Sequence, residues 1–91
     1  MKKVCALAET YQVVIAPHNT KGPVGIMAAA HVMASIPNAL IQEFNAPSRI
    51  PWRNDVLQDP LVIEDSCLVV PDRPGLGVEF DEAALESHLV K

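Results

Sequence analysis

The sequence predicts an α/β fold built on parallel strands, and three observations carry that expectation. Two apolar runs, Val13-Val14-Ile15-Ala16-Pro17 and Ala39-Leu40-Ile41, lead into chemistry-bearing side chains, His18 after the first and Glu43 after the second. A single segment of helix length lies between them. In a parallel sheet, a strand, helix, strand unit brings consecutive strand ends to one rim, where α/β folds carry out their chemistry. The runs are also continuous rather than alternating, as strands covered on both faces require. With neighbouring strands about 4.8 Å apart, an imidazole at 18 and a carboxylate at 43 would flank one small substrate.

The elements follow in order. Val4, Leu7, Ala8 and Tyr11 recur at helical spacing, which predicts an amphipathic helix from Lys2 to about Tyr11. The first strand covers 13–19. Gly22-Pro23 is a helix-start signal, with proline at the first helical position, and the helix from Val24 to Ser35 ends ahead of Pro37. This helix is apolar nearly all round, so it should pack on two sides. The second strand covers 39–44. Beyond it, Pro47, Pro51 and Pro60 punctuate a polar stretch holding Trp52, Arg53 and Asp55, which reads as a long irregular connection. Two short apolar runs, 61–64 and 67–70, meet at Asp65-Ser66 and predict a tight hairpin. Residues 71–77 are turn chemistry. Asp81 then caps a short helix from Glu82 to about Leu89, with acids at its start and His88 and Lys91 near its end.

Composition narrows the function. The chain has 91 residues, 49% of them hydrophobic, enough in principle for one small domain. A net charge of -4, spread without runs, leaves no footprint for nucleic acid or an anionic membrane. Cys5 and Cys67 have neither CxxC spacing nor the density of a secreted scaffold, so they read as reduced thiols in a cytoplasmic protein. The start is amphipathic rather than a signal-like apolar region, and no run approaches about 20 apolar residues. Gly75-Leu76-Gly77 lacks the third glycine and the helix of a dinucleotide fingerprint, and Asn19-Thr20-Lys21-Gly22-Pro23 is not a phosphate loop. The histidines and cysteines show no zinc spacing.

Two parallel strands and a tail do not close a sheet, and both helices would need apolar partners from elsewhere. The pattern is that of the end of a larger barrel, a fold that typically takes about 250 residues.

The residues themselves agree with that expectation. Ile15-Ala16-Pro17-His18-Asn19, Gly22-Pro23-Val24, Ile36-Pro37-Asn38-Ala39-Leu40-Ile41-Gln42-Glu43 and Val70-Pro71-Asp72-Arg73-Pro74-Gly75-Leu76-Gly77-Val78-Glu79 resemble, in this order, the carboxy-terminal end of the mandelate racemase and muconate lactonizing enzyme family. Within that part of the enolase superfamily, the chain is most similar to acid-sugar dehydratases of the galactonate dehydratase type. The resemblance implies a partial TIM-like (β/α) barrel: its seventh and eighth strands over 1–45, then a tail over 46–91 that would pack on an amino-terminal capping domain. It implies proton abstraction next to a sugar-acid carboxylate, magnesium stabilising the enolate, then loss of water. Such chemistry needs a base near neutral pKa and strong stabilisation of the dianion.

By resemblance, His18 is the general acid/base, and Glu43 hydrogen-bonds the carboxylate or enolate oxygen, which requires a proton on it or shared with it. Asn19 and Trp52 are the candidate substrate contacts. No metal ligand is assigned in this chain, because the family's magnesium carboxylates and the aspartate that orients its histidine lie on earlier strands. The partners implied are a small sugar acid, the remainder of the barrel and capping domain, and further copies in a homo-oligomer. Plainer roles stand beside these: a loop histidine bonded to backbone at His18, a satisfied core histidine at His31, a helix-end charge at His88, and a hydrophobic anchor at Trp52. The alternative to an enzyme fragment is a non-catalytic remnant or interaction module that keeps the family signature. Upstream genomic sequence encoding strands with acidic ligands would separate the two.

Overall fold

The computed structural model describes residues 1–44 and 52–90. Helix α1 runs Lys2–Thr10. It stops because Gln12 takes a left-handed conformation, φ 57°. The Gln12 N–H then bonds the Glu9 carbonyl and the Val13 N–H the Ala8 carbonyl, each at 2.9 Å, closing the helix end without a glycine. Helix α2 runs Pro23–Ala34, entered through Gly22 with Pro23 in the first turn as the sequence predicts. Pro23, Ile26, Met27 and Ala30 form its buried stripe, with Ala29 beside it. Lys2 Nζ reaches Ser35 Oγ at 3.1 Å, tying the start of α1 to the end of α2.

The two apolar runs lie side by side and parallel, yet they form one isolated bridge, Ile15↔Ala39, rather than strands over 13–19 and 39–44. Proline is the cause. The Ile15 N–H donates to the Asn38 carbonyl and the Leu40 N–H to the Ile15 carbonyl. The next donor in that ladder belongs to residue 17, and Pro17 has no N–H to give. Asn38 reinforces the entry: its Nδ2 donates to the carbonyls of Cys5 (3.1 Å) and Val13 (3.0 Å).

The tail holds more order than expected. Trp52–Asp55 forms a single helical turn, α3. Leu57 and Phe80 make an antiparallel bridge, flanked by bonds from Gln58 N–H to Glu79 O and from Asp81 N–H to Val56 O. Pro47 and Pro51 lie outside the described residues. The hairpin is as predicted but with a shorter paired core: β1 (Ile63–Glu64) and β2 (Cys67–Leu68) turn through Asp65 and Ser66, both at positive φ, the twist a two-residue hairpin favours. Asp81 Oδ1 accepts from Ala84 N–H at 3.0 Å and starts helix α4, Glu82–Ser87, whose end His88 caps; Lys91 lies outside the described residues. The tail folds back onto α2. His31 Nε2 donates to the Leu76 carbonyl at 3.1 Å, the satisfied role expected of it, and buried Met27 floors a small cavity roofed by Leu61, Val69 and Val78.

The apolar stripe of α1 points the other way. Val4, Leu7 and Tyr11 are exposed, together with Val13, Val14, Leu40 and Ile41, while Cys5 is the α1 residue that enters the core. Such a patch invites association. The 91-residue chain alone is expected to melt at a temperature that rises with its concentration; a sharp, concentration-independent melt of a monomer in sedimentation equilibrium would contradict this.

Glycine is required at one turn for a steric reason. Gly75 and Gly77 both sit at positive φ, but a methyl group on Gly77 would meet Pro71 Cγ at 2.5 Å, whereas Gly75 has open space. At one fixed chain concentration, Gly75→Ala should cost about 1 kcal/mol of backbone strain. Gly77→Ala should cost about 1–3 kcal/mol more from overpacking against the proline ring. Urea midpoints of the two variants check the order.

Candidate active site

His18 follows the first extended segment directly, and Glu43 lies near the end of the second. The Ile15↔Ala39 register would set His18 against Gln42. The chains depart from it past Pro17, whose carbonyl accepts from the Glu43 N–H at 3.3 Å. That shift of one residue is a bulge, and bulges re-aim side chains. Gln42 turns to the helix side, where its Nε2 donates to the Ile26 carbonyl at 2.8 Å. Glu43 turns to the rim, where its Oε2 lies 2.7 Å from His18 Nδ1.

With Glu43 ionised, Nδ1 must carry the proton and donate it, leaving Nε2 free at the surface. Both side chains are more than half exposed. The two residues meet at one rim, as the sequence leads one to expect, but they touch rather than stand apart, leaving no space between them for a third group. The geometry suits a proton-transfer pair: the carboxylate orients the imidazole and offsets the charge it gains as a base.

The loop behind His18 is held from two directions. Asn19 is buried, and its Oδ1 accepts from the Lys21 N–H at 3.0 Å, an Asx turn. Arg53 Nη1 reaches across from α3 to the Thr20 carbonyl at 2.9 Å. Pro17, His18 and Asn19 line one wall of a groove of about 390 Å³ whose floor is Gly25, Ala28 and Ala29. Asn19 therefore shares a wall with His18. Trp52 instead packs on His88, ring centroids 5.2 Å apart, with the Arg53 guanidinium 5.9 Å from its ring. Among the described residues, no hydrogen bond or ring contact joins Trp52 to His18 or Glu43. Sequence reading missed Gln42, Asn38 and Arg53. A polar residue inside an apolar run was the available signal for Gln42.

The family model described as enolase C-terminal domain-like matches residues 1–84. The chain belongs to that family. It corresponds to the carboxy-terminal part of the mandelate racemase and muconate lactonizing enzymes. It is similar to the D-xylonate dehydratase of Haloferax volcanii, 36% identical over 90 residues, covering 99% of this chain and 22% of that protein. It is 35% identical over 89 residues to the D-galactonate dehydratase of Xanthomonas euvesicatoria, covering 92% and 23%. A Burkholderia xenovorans protein solved with magnesium and fumarate bound superposes with a TM-score of 0.80 at 30% identity, covering 94% of this chain and 21% of that one. This enolase-type chain thus spans about a fifth to a quarter of the length of the relatives it matches.

Magnesium, which the family implies, does not fit the residues present. Among the described residues, no three His, Cys, Asp or Glu side chains converge as a metal site, and the His18–Glu43 pair spends its facing atoms on each other. A hard divalent cation asks for about six oxygen ligands. Titration calorimetry of the 91-residue chain should accordingly find no micromolar magnesium site; a hard-oxygen site of that affinity would overturn the assignment.

Proposed function

We propose that this chain is the carboxy-terminal section of an acid-sugar dehydratase and supplies the proton-transfer side of its active site. The observation that carries the proposal is the 2.7 Å contact between His18 Nδ1 and Glu43 Oε2 on an open rim, in a chain whose relatives include dehydratases of sugar acids. His18 Nε2 takes the proton next to the substrate carboxylate, and the Glu43 carboxylate stabilises the imidazolium. The pair then holds one more proton than before. Glu43 can share it with the enolate oxygen, which an ionised carboxylate alone could not do. His18 then returns the proton to the neighbouring hydroxyl as its C–O bond breaks, so that water leaves and the pair regains its starting state.

Asn19 has its oxygen committed to Lys21, so its Nδ2 is the group available to donate to a substrate hydroxyl from the groove wall. Trp52, half exposed beside Arg53, is the proposed edge of the same mouth. Magnesium would be held by carboxylates on the remainder of the barrel, which this chain does not supply. The tail would meet a capping domain, and the working protein would be a cytoplasmic homo-oligomer. The dehydratase is proposed to be of the galactonate dehydratase type, acting on a sugar acid. Alone, the 91-residue chain is proposed to be inactive.

The test uses the complete polypeptide. His18→Asn keeps a hydrogen-bonding group of similar size but cannot take a proton; it should abolish solvent deuterium exchange next to the carboxylate while leaving substrate binding nearly intact. Glu43→Gln retains an amide donor and should lower kcat by about 10²-fold to 10³-fold. Exchange at the wild-type rate in His18→Asn would show that another group is the base.

A further inference from the structure

We propose that the His18–Glu43 pair is created by the one-residue register slip between the two extended segments, and that Pro17 and Gln42 are the positioning residues that hold the slip. The inference rests on the reading of that pair as the proton-transfer site. In a regular parallel ladder continuing from Ile15↔Ala39, residue 17 would donate to the Leu40 carbonyl and the Gln42 N–H would donate to the residue 17 carbonyl. The first bond is chemically impossible with proline. The second is replaced by Glu43 N–H to Pro17 O at 3.3 Å.

In the regular register, residue 42 would lie beside His18, and Glu43 would point to the opposite face, because successive side chains alternate. Gln42 opposes that return. Its side-chain amide is anchored on the Ile26 carbonyl at 2.8 Å, inside the packed side of α2, so moving residue 42 to the rim would strip a partly buried hydrogen bond. Proline thus removes the competing ladder, and glutamine ties down the alternative. Both act on the reaction through the pair they position.

The complete polypeptide carrying Pro17→Ala, Gln42→Ala or both provides the test. Pro17→Ala adds the missing N–H, and Gln42→Ala removes the anchor with a side chain that favours neither face. The first readout is structural: the His18 imidazole nitrogen shifts and the Nδ1 proton signal, which report the bond to Glu43 whether or not the pair is catalytic. Each variant should weaken that signal, and the double variant should abolish it. The second readout is kinetic: kcat should fall about 10²-fold in the double variant, as expected for about 1 Å of misplacement, with KM changed less than about threefold.

An unchanged His18 signal in the double variant would overturn the slip. Loss of the signal with kcat at the wild-type level would uphold the slip and instead overturn the catalytic reading of the pair. Should Gln42→Ala fail to fold, Pro17→Ala decides alone on the His18 signal, because it restores the missing backbone donor and leaves the Gln42 anchor in place.

Discussion

Three backbone hydrogen bonds join the segment ending at His18 to the segment ending at Glu43, and the geometry of the site depends on them. Two belong to a regular parallel bridge, and the third is displaced by one residue. Covalent chemistry removes one bond of the regular ladder, since Pro17 cannot donate, and the displaced bond follows it. What is lost in sheet regularity appears as a directed contact. A longer, regular strand pair would be the stronger sheet and would set Gln42 where Glu43 now stands.

The elements around this contact act as braces. Asn38 ties α1 and the first segment to the start of the second through two carbonyls. Gln42 pins the second segment to α2. Arg53 and the Asn19 turn fix the loop that follows His18. The braces come from helices and a tail whose own packing is modest: the buried apolar residues, among those described, are Cys5, five residues of α2, and Val56 and Leu57. Side chain to backbone bonds carry much of the positioning that a larger core would otherwise supply, and they are directional where apolar packing is not.

The tail contributes in a second way. Its antiparallel bridge at Leu57 and Phe80 closes a loop that includes the hairpin, and the closed unit lies on α2 through Met27 and His31. The face of α2 left by the sheet is thereby covered from within the chain. The opposite apolar face, along α1 and the outer sides of the extended segments, has no such cover among the described residues.

The sequence by itself determined the local elements, because each is specified by neighbours along the chain. Pro23 behind Gly22 starts α2, Asp81 starts α4, and Asp65-Ser66 turns the hairpin; the motif residues around His18 and Glu43 pointed to the family and to a shared rim. Tertiary structure decided what depends on partners far apart in sequence. It turned the Val4, Leu7 and Tyr11 stripe outward, because a periodic apolar face says that something must cover it without saying what. It reduced two predicted strands to one bridge, a consequence of which donor Pro17 would have had to supply. It built α3 and the Leu57–Phe80 bridge in a stretch whose prolines read as irregular. The direct contact of His18 with Glu43 was also out of reach of the sequence, since a register slip of one residue changes no residue type, only which face each side chain meets.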